Sequence, residues 1–61
     1  MLDNETKHLM DRFSMAIDLL KLSIEQTDDS ELRKHAVKHL INMQNHFKQM
    51  RERYPEYDAL N

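Results

Sequence analysis

The chain has 61 residues, with no cysteine, no glycine, a single proline, 33% charged residues and a net charge of −2. One domain is the most this length allows, and its core must be marginal, because a chain near 60 residues buries only about 60% of the surface its unfolded form exposes. Disulfide stapling is excluded, the charge exerts no general pull toward nucleic acid or membrane, and no long apolar run or leader-like segment is present, so the expectation is a soluble, cytoplasmic protein.

The first element starts at Asp3 or Asn4, either of which can cap a helix. From there Thr6, Met10, Phe13, Ile17, Leu20, Ile24 and Thr27 recur at alternating steps of four and three. That is a heptad seam, and it predicts a helix over 4–27. The segment "EQTDDSEL" then breaks the pattern. Asp28 with Glu31 resembles a capping box, and Asp29 or Ser30 can serve as N-cap instead. A second seam follows through Arg33, Ala36, Leu40, Met43, Phe47, Met50 and Tyr54, and predicts a helix over 30–54. Pro55 ends it, since proline lacks the N–H the next turn needs and restricts the residue before it.

Two helices of equal length, each roughly 36 Å at 1.5 Å per residue, joined by a short turn, read as an antiparallel hairpin. The fold expected is therefore all-α: a two-helix hairpin over 1–54 and a short tail over 55–61, whose Tyr57 and Leu60 could pack back. Charge supports the pairing. Residues 1–29 hold three basic and seven acidic side chains, a net of −4; residues 30–54 hold six basic and two acidic, a net of +4.

Some apolar residues fall off the seams. With Met10, Ile17 and Ile24 at heptad position a, Met15 and Leu22 fall at f and Leu19 at c, on the outer side of the first helix. Leu9 and Ala16 widen the seam at g, and Val37 and Ile41 lie off the second seam. Burying a Leu or Ile is worth about 1.5–3 kcal/mol, and a lone hairpin has one internal interface. The sequence therefore predicts self-association, as a two-fold homodimer forming a four-helix bundle. Met15, Leu19, Leu22, Val37 and Ile41 are its candidate interaction residues, or a docking face for a different protein.

Three of the four histidines lie in "HAVKHLINMQNH", residues 35–46. On a helix His35, His39 and His46 share one narrow arc with Asn42, Gln49 and Arg53, beside the seam. His35 and His39 stand one turn apart and could share an ion, but His46 lies about 10.5 Å beyond His39. One helix thus offers two ligands where a site needs three or four, and only a second chain could complete it. These histidines read as a solvated rim, and neither metal nor cofactor is expected. "ETKH", residues 5–8, matches the Glu-x-x-His element of di-iron bundles, yet Glu5 and His8 face away from the seam and no seam position holds a carboxylate. There is no cysteine nucleophile, no glycine-rich phosphate loop and no Ser–His–acid arrangement around Ser14, Ser23 or Ser30, so no enzyme is expected. The basic residues of the second helix spread around it: Arg33, Lys34, Lys38, Lys48, Arg51 and Arg53 make no single phosphate-tracking stripe.

Residues 23–55, "SIEQTDDSELRKHAVKHLINMQNHFKQMRERYP", resemble the helical hairpin of the spore coat protein F family, ferritin-like bundles of spore-forming bacteria. The likeness lies in Ile24–Glu25 closing one helix, Leu32–Arg33 opening the next and Tyr54–Pro55 near its end. It implies a structural or coat-associated role in a sporulating bacterium. Length, hairpin topology, seam and the aromatics Phe13 and Tyr54 are also similar to the Rop family of plasmid copy-control proteins. That resemblance implies a four-helix dimer, and an RNA-binding role as the alternative function. Here the outward positions Asp11, Asp18 and Glu25 would repel phosphate. The function expected is a small non-enzymatic protein acting through protein–protein contact, as adaptor, regulator or coat-type component; a metal-binding bundle is the second alternative.

Overall fold

The computed structural model describes residues 2–59; Leu60, one of the two tail residues expected to fold back, lies outside them. Helix α1 runs Asn4–Gln26, α2 runs Ser30–Arg53, and a single helical turn, α3, spans Glu56–Ala59.

Each boundary has a local cause. The Asp3 carboxylate accepts the Thr6 N–H at 2.7 Å, satisfying one of the donors left free at the start of α1. Of the three candidates for the second cap, Asp29 takes the role: one carboxylate oxygen accepts from Glu31 N–H at 3.0 Å and Leu32 N–H at 3.2 Å. Between them, Thr27 adopts an extended backbone, in a Thr-Asp-Asp run whose short polar side chains compete with helical bonding. The last turn of α1 contains no basic residue. Arg33 of α2 supplies one, donating from its guanidinium to the Thr27 carbonyl at the negative end of the helix. Arg51 and Arg53 put basic charge in the last turn of α2, where it suits the negative end of the helix. The Tyr54 N–H still reaches the Met50 carbonyl at 2.9 Å, and Pro55 stops the helix there.

α1 and α2 pack against each other, and the hairpin measures 42 × 16 × 16 Å. Phe13 stacks on Phe47 with ring centroids 5.9 Å apart and planes 8° from parallel. Together with the Arg33–Thr27 contact near the turn, this sets an antiparallel register. Heptad steps from Phe13 and Phe47 then align Ile17 with Met43, Leu20 with Leu40 and Ile24 with Ala36. Every expected seam residue is buried or half-buried except Arg33, whose head group is spent on the turn.

The tail packs back through Tyr57, as expected, but as a helical turn, which was not. Its residues 56–59 form α3, which lies back across the open end of the hairpin, and Tyr57 is among the most buried side chains. Tyr57 meets Phe47 edge-on at 6.0 Å and donates its hydroxyl proton to Asp11 at 2.6 Å. Arg51 clasps Asp58 through two guanidinium nitrogens, at 3.0 and 3.2 Å, and Glu56 accepts the Leu2 N–H at 2.8 Å. A strap of one turn therefore closes the end that the Thr27–Asp29 turn leaves open.

The charge asymmetry works differently from a direct acid–base zipper. Among the described residues the ion pairs are Lys7–Asp11, one turn apart on α1, and Arg51–Asp58, joining α2 to the strap; no ion pair joins α1 to α2. Charges flanking the seams point outward too far apart for contact, so their attraction is the long-range, screened kind.

Candidate interaction surface

The hairpin has two broad faces, one on each side of the seam, and they differ in chemistry. On one, Ser14, Asp18 and Lys21 of α1 share a groove with Gln44, Lys48 and Arg51 of α2. The strap lies on this side, since its partners Asp11 and Arg51 belong to it. This is the charged face. Its carboxylates are held in their ionised form: Asp11 sits below its ordinary value of 3.8, chiefly through the Tyr57 hydroxyl and secondarily through Lys7 and His8. Glu56 is lowered by its own backbone N–H and that of Leu2, and Asp3 by the Thr6 backbone N–H it caps.

The opposite face follows from helical geometry, because a residue that leans away from the groove on either helix must lean toward it. On α1 it presents Leu9, Ala16 and Ser23, at heptad spacing; on α2 it presents Leu32 and the three histidines His35, His39 and His46. All are exposed, with Leu9 at 64% and Leu32 at 59%. From Phe13 to Thr27 on α1, and from Leu32 to Met50 on α2, this face bears no Asp, Glu, Lys or Arg. Glu5, Arg12, Glu31 and Arg53 stand at its ends. The stripe of histidines lies along a neutral surface that borders half-buried core residues.

Burial along α1 is lopsided in the same sense near the strap. Met10 and Ile17, which lean toward the charged face, are 0% and 6% exposed, whereas Phe13 and Leu20, which lean toward the neutral face, are half-buried. On α2 the seam residues of both sides, Leu40 and Phe47 as well as Met43 and Met50, are half-buried alike. The strap covers part of one side of the seam, and among the described residues no element covers the other.

The five interaction residues expected from heptad position are exposed, but the structure does not bring them onto one surface. Met15, Leu19 and Leu22, at 63%, 63% and 48% exposure, form a stripe on the back of α1, with Met15 and Leu22 nearly opposite its seam and Leu19 on the edge toward the neutral face. Val37 and Ile41, at 37% and 51%, flank α2 on the charged side, separated from that stripe by Asp18, Lys21 and Glu25. Heptad lettering showed them to be off the seam; only the register of the two helices reveals that they diverge. Conversely, Leu32 was placed in the turn signal rather than on a surface, and its exposure next to the histidine row was not anticipated. A wheel of both helices drawn in one register would have exposed the neutral face.

Glu5 and His8 are both exposed on α1, away from the seam, as their spacing implied. Among the described residues no group of three His, Asp or Glu side chains is arranged to hold a metal ion, and no helix is long and apolar enough to cross a membrane. Compared with protein-family models, with curated proteins and with solved structures, the chain shows no significant match.

Proposed function

We propose that this chain is a non-enzymatic helical module that acts by binding protein surfaces, and first of all by associating with itself. The observation that carries this reading is surface area. A compact monomer of 7.4 kDa should expose roughly 4,200 Å² by the usual scaling of surface with mass; this one exposes 5095 Å². The excess, about 900 Å², is close to the ~800 Å² that one partner contributes to a standard protein interface. Among the described residues the buried hydrophobic side chains are Met10, Ile17 and Tyr57, a slender core for a chain with no cysteine to form a disulfide.

A role without catalysis fits the grooves, which are open to solvent along the helix surfaces and lined mainly by polar and charged side chains of both helices. The likeness of residues 23–55 to the spore coat F hairpin supports a structural or coat-type use of such a module. Light scattering across a concentration series tests the core of the proposal. A mass of twice 7.4 kDa, or more, that persists on dilution is the expected result. A mass of one chain at every concentration would remove self-association from the reading.

A further inference from the structure

Resting on that reading, we propose which surface a second copy of this chain covers: the neutral face, built on Leu9, Ala16 and Ser23 of α1 and on Leu32, His39 and His46 of α2. Neither the charged face nor the back stripe of α1 is the self-association surface.

Three observations converge on one occupant. The first is area. The Cα extents of 42 and 16 Å give each face a footprint of about 670 Å² before side chains are added, enough to supply the ~800 Å² per partner of a stable dimer. The back stripe of α1 offers three apolar residues on a single helix, which is far less. The second is charge. A two-fold axis brings the same patch of both copies together. A patch that bears acidic residues on one helix would meet like charges wherever α1 faces α1 of the second copy. The neutral face carries no fixed charge along its middle, and its charged residues, Glu5, Arg12, Glu31 and Arg53, stand at the ends as a rim, the layout of a protein interface. The third is continuity with the existing core. Phe13, Leu20, Met43 and Met50 are half-buried on this side, as Ile24, Leu40 and Phe47 are on the other, so a second hairpin laid on the side without the strap adds to their burial and extends one core instead of starting another. The strap occupies the charged side, held by Tyr57–Asp11 and Arg51–Asp58, which leaves the neutral side as the open one. Ala16 and Ser23 are small, which allows the close approach that packed helices require.

The histidines then acquire a use that needs no metal. Their rings supply polar atoms at the edge of an interface without the charge that lysine would bring.

The test places a carboxylate on each surface in turn and reads mass and helicity together. Ala16→Glu and His39→Glu load the neutral face from α1 and α2. Gln44→Glu loads the charged face, and Met15→Asp the back stripe. All four positions are exposed, so the hairpin tolerates each, and circular dichroism verifies that. The expected result is a wild type of twice 7.4 kDa, falling to a single chain in Ala16→Glu and His39→Glu and staying dimeric in Gln44→Glu and Met15→Asp. A wild-type dimer that survives both neutral-face changes, or that is lost on Met15→Asp or Gln44→Glu with helicity intact, overturns the choice of face while leaving self-association standing. A wild type that is monomeric throughout overturns both. Should a neutral-face variant lose helicity, Ser23→Glu gives the same reading from a second exposed position on α1.

Discussion

Met10 and Met15 are the same residue type, five positions apart on one helix, and the structure gives them opposite environments: Met10 is 0% exposed and Met15 63%. Truncating each to alanine isolates what the seam contributes. A buried Leu, Ile or Met cut to alanine costs about 2–5 kcal/mol, depending on how far the site collapses. Methionine is unbranched and adaptable, and a two-helix core can settle around the loss, so the lower part of that range applies, about 2–3 kcal/mol. A domain of this size has roughly 3–9 kcal/mol of total stability. Met10→Ala therefore removes about a fifth of it or more. At about 4–8 °C per kcal/mol for a small domain, the melting temperature falls by about 10–20 °C. Met15→Ala changes an exposed side chain and stays within about 0.5 kcal/mol; alanine even has slightly the better helix propensity. Both variants are melted by circular dichroism at one chain concentration, because association couples stability to concentration. If the two melting temperatures fall by similar amounts, or Met15→Ala is the worse, the register of α1 against α2 is wrong.

Other outcomes follow from the same structure. Asp29→Ala removes the acceptor of two backbone N–H groups and costs about 1 kcal/mol in urea denaturation, whereas Asp28→Ala is close to neutral; the reverse order would move the cap by one residue. Tyr57→Phe and Asp11→Ala each remove the strap's hydroxyl–carboxylate bond, and the double variant loses little more than the worse of the two; fully additive losses would mean the two groups do not act through each other. The Asp11 carboxyl titrates below 3.8 in the folded chain, mainly because the Tyr57 hydroxyl bonds its ionised form. Stability from this contact is therefore complete above pH 3.8 and disappears as the pH falls through the lowered folded value. The gap between wild type and Asp11→Asn in urea titrations should close over that acid range and stay constant at higher pH. Tyr57→Ala unhooks the strap and lowers the melting temperature, yet leaves the dimer mass unchanged, since the strap lies on the side away from the neutral face.

Much of the hairpin was legible in the sequence because its signals are local and repeat. Steps of four and three marked seams that proved buried or half-buried at every position but Arg33, and aspartates before each helix, with Pro55 after the second, bounded the elements to within a residue. Non-local features were legible only in part. Tyr57 was expected to pack back, but its partners Phe47 and Asp11, ten and forty-six positions away, and the helical turn that carries it left no periodic signal in a tail of seven residues. Arg33 occupies a seam position yet is exposed, because a carbonyl at the end of the other helix offers its guanidinium a better use. The opposing charges of the two halves suggested paired helices, and the helices do pair, but without an ion pair between them. Sign alone does not say whether two side chains reach each other. The five apolar residues off the seams were each identified correctly as surface, but their division between two separate surfaces depends on the angular register of both helices, which no single heptad contains.

The lopsided burial of the seam is what links fold to function here. Two helices in contact enclose only a line of side chains, and each of those remains open on two sides. A third element can close one of them, and α3 does so with a single turn, placed on the side where Asp11 and Arg51 offer it a hydroxyl acceptor and an ion pair. The charges on that face are thus partly the anchors of the strap. The other side has no anchor of this kind: a surface with no fixed charge along its middle cannot hold a short polar tail, but it can hold a second apolar surface of its own length. A strap on one face and a neutral strip on the other are therefore complementary solutions to the same shortage of core. The first is met within the chain; on the proposed reading the second would be met by a second copy of the hairpin, a helical surface about 40 Å long.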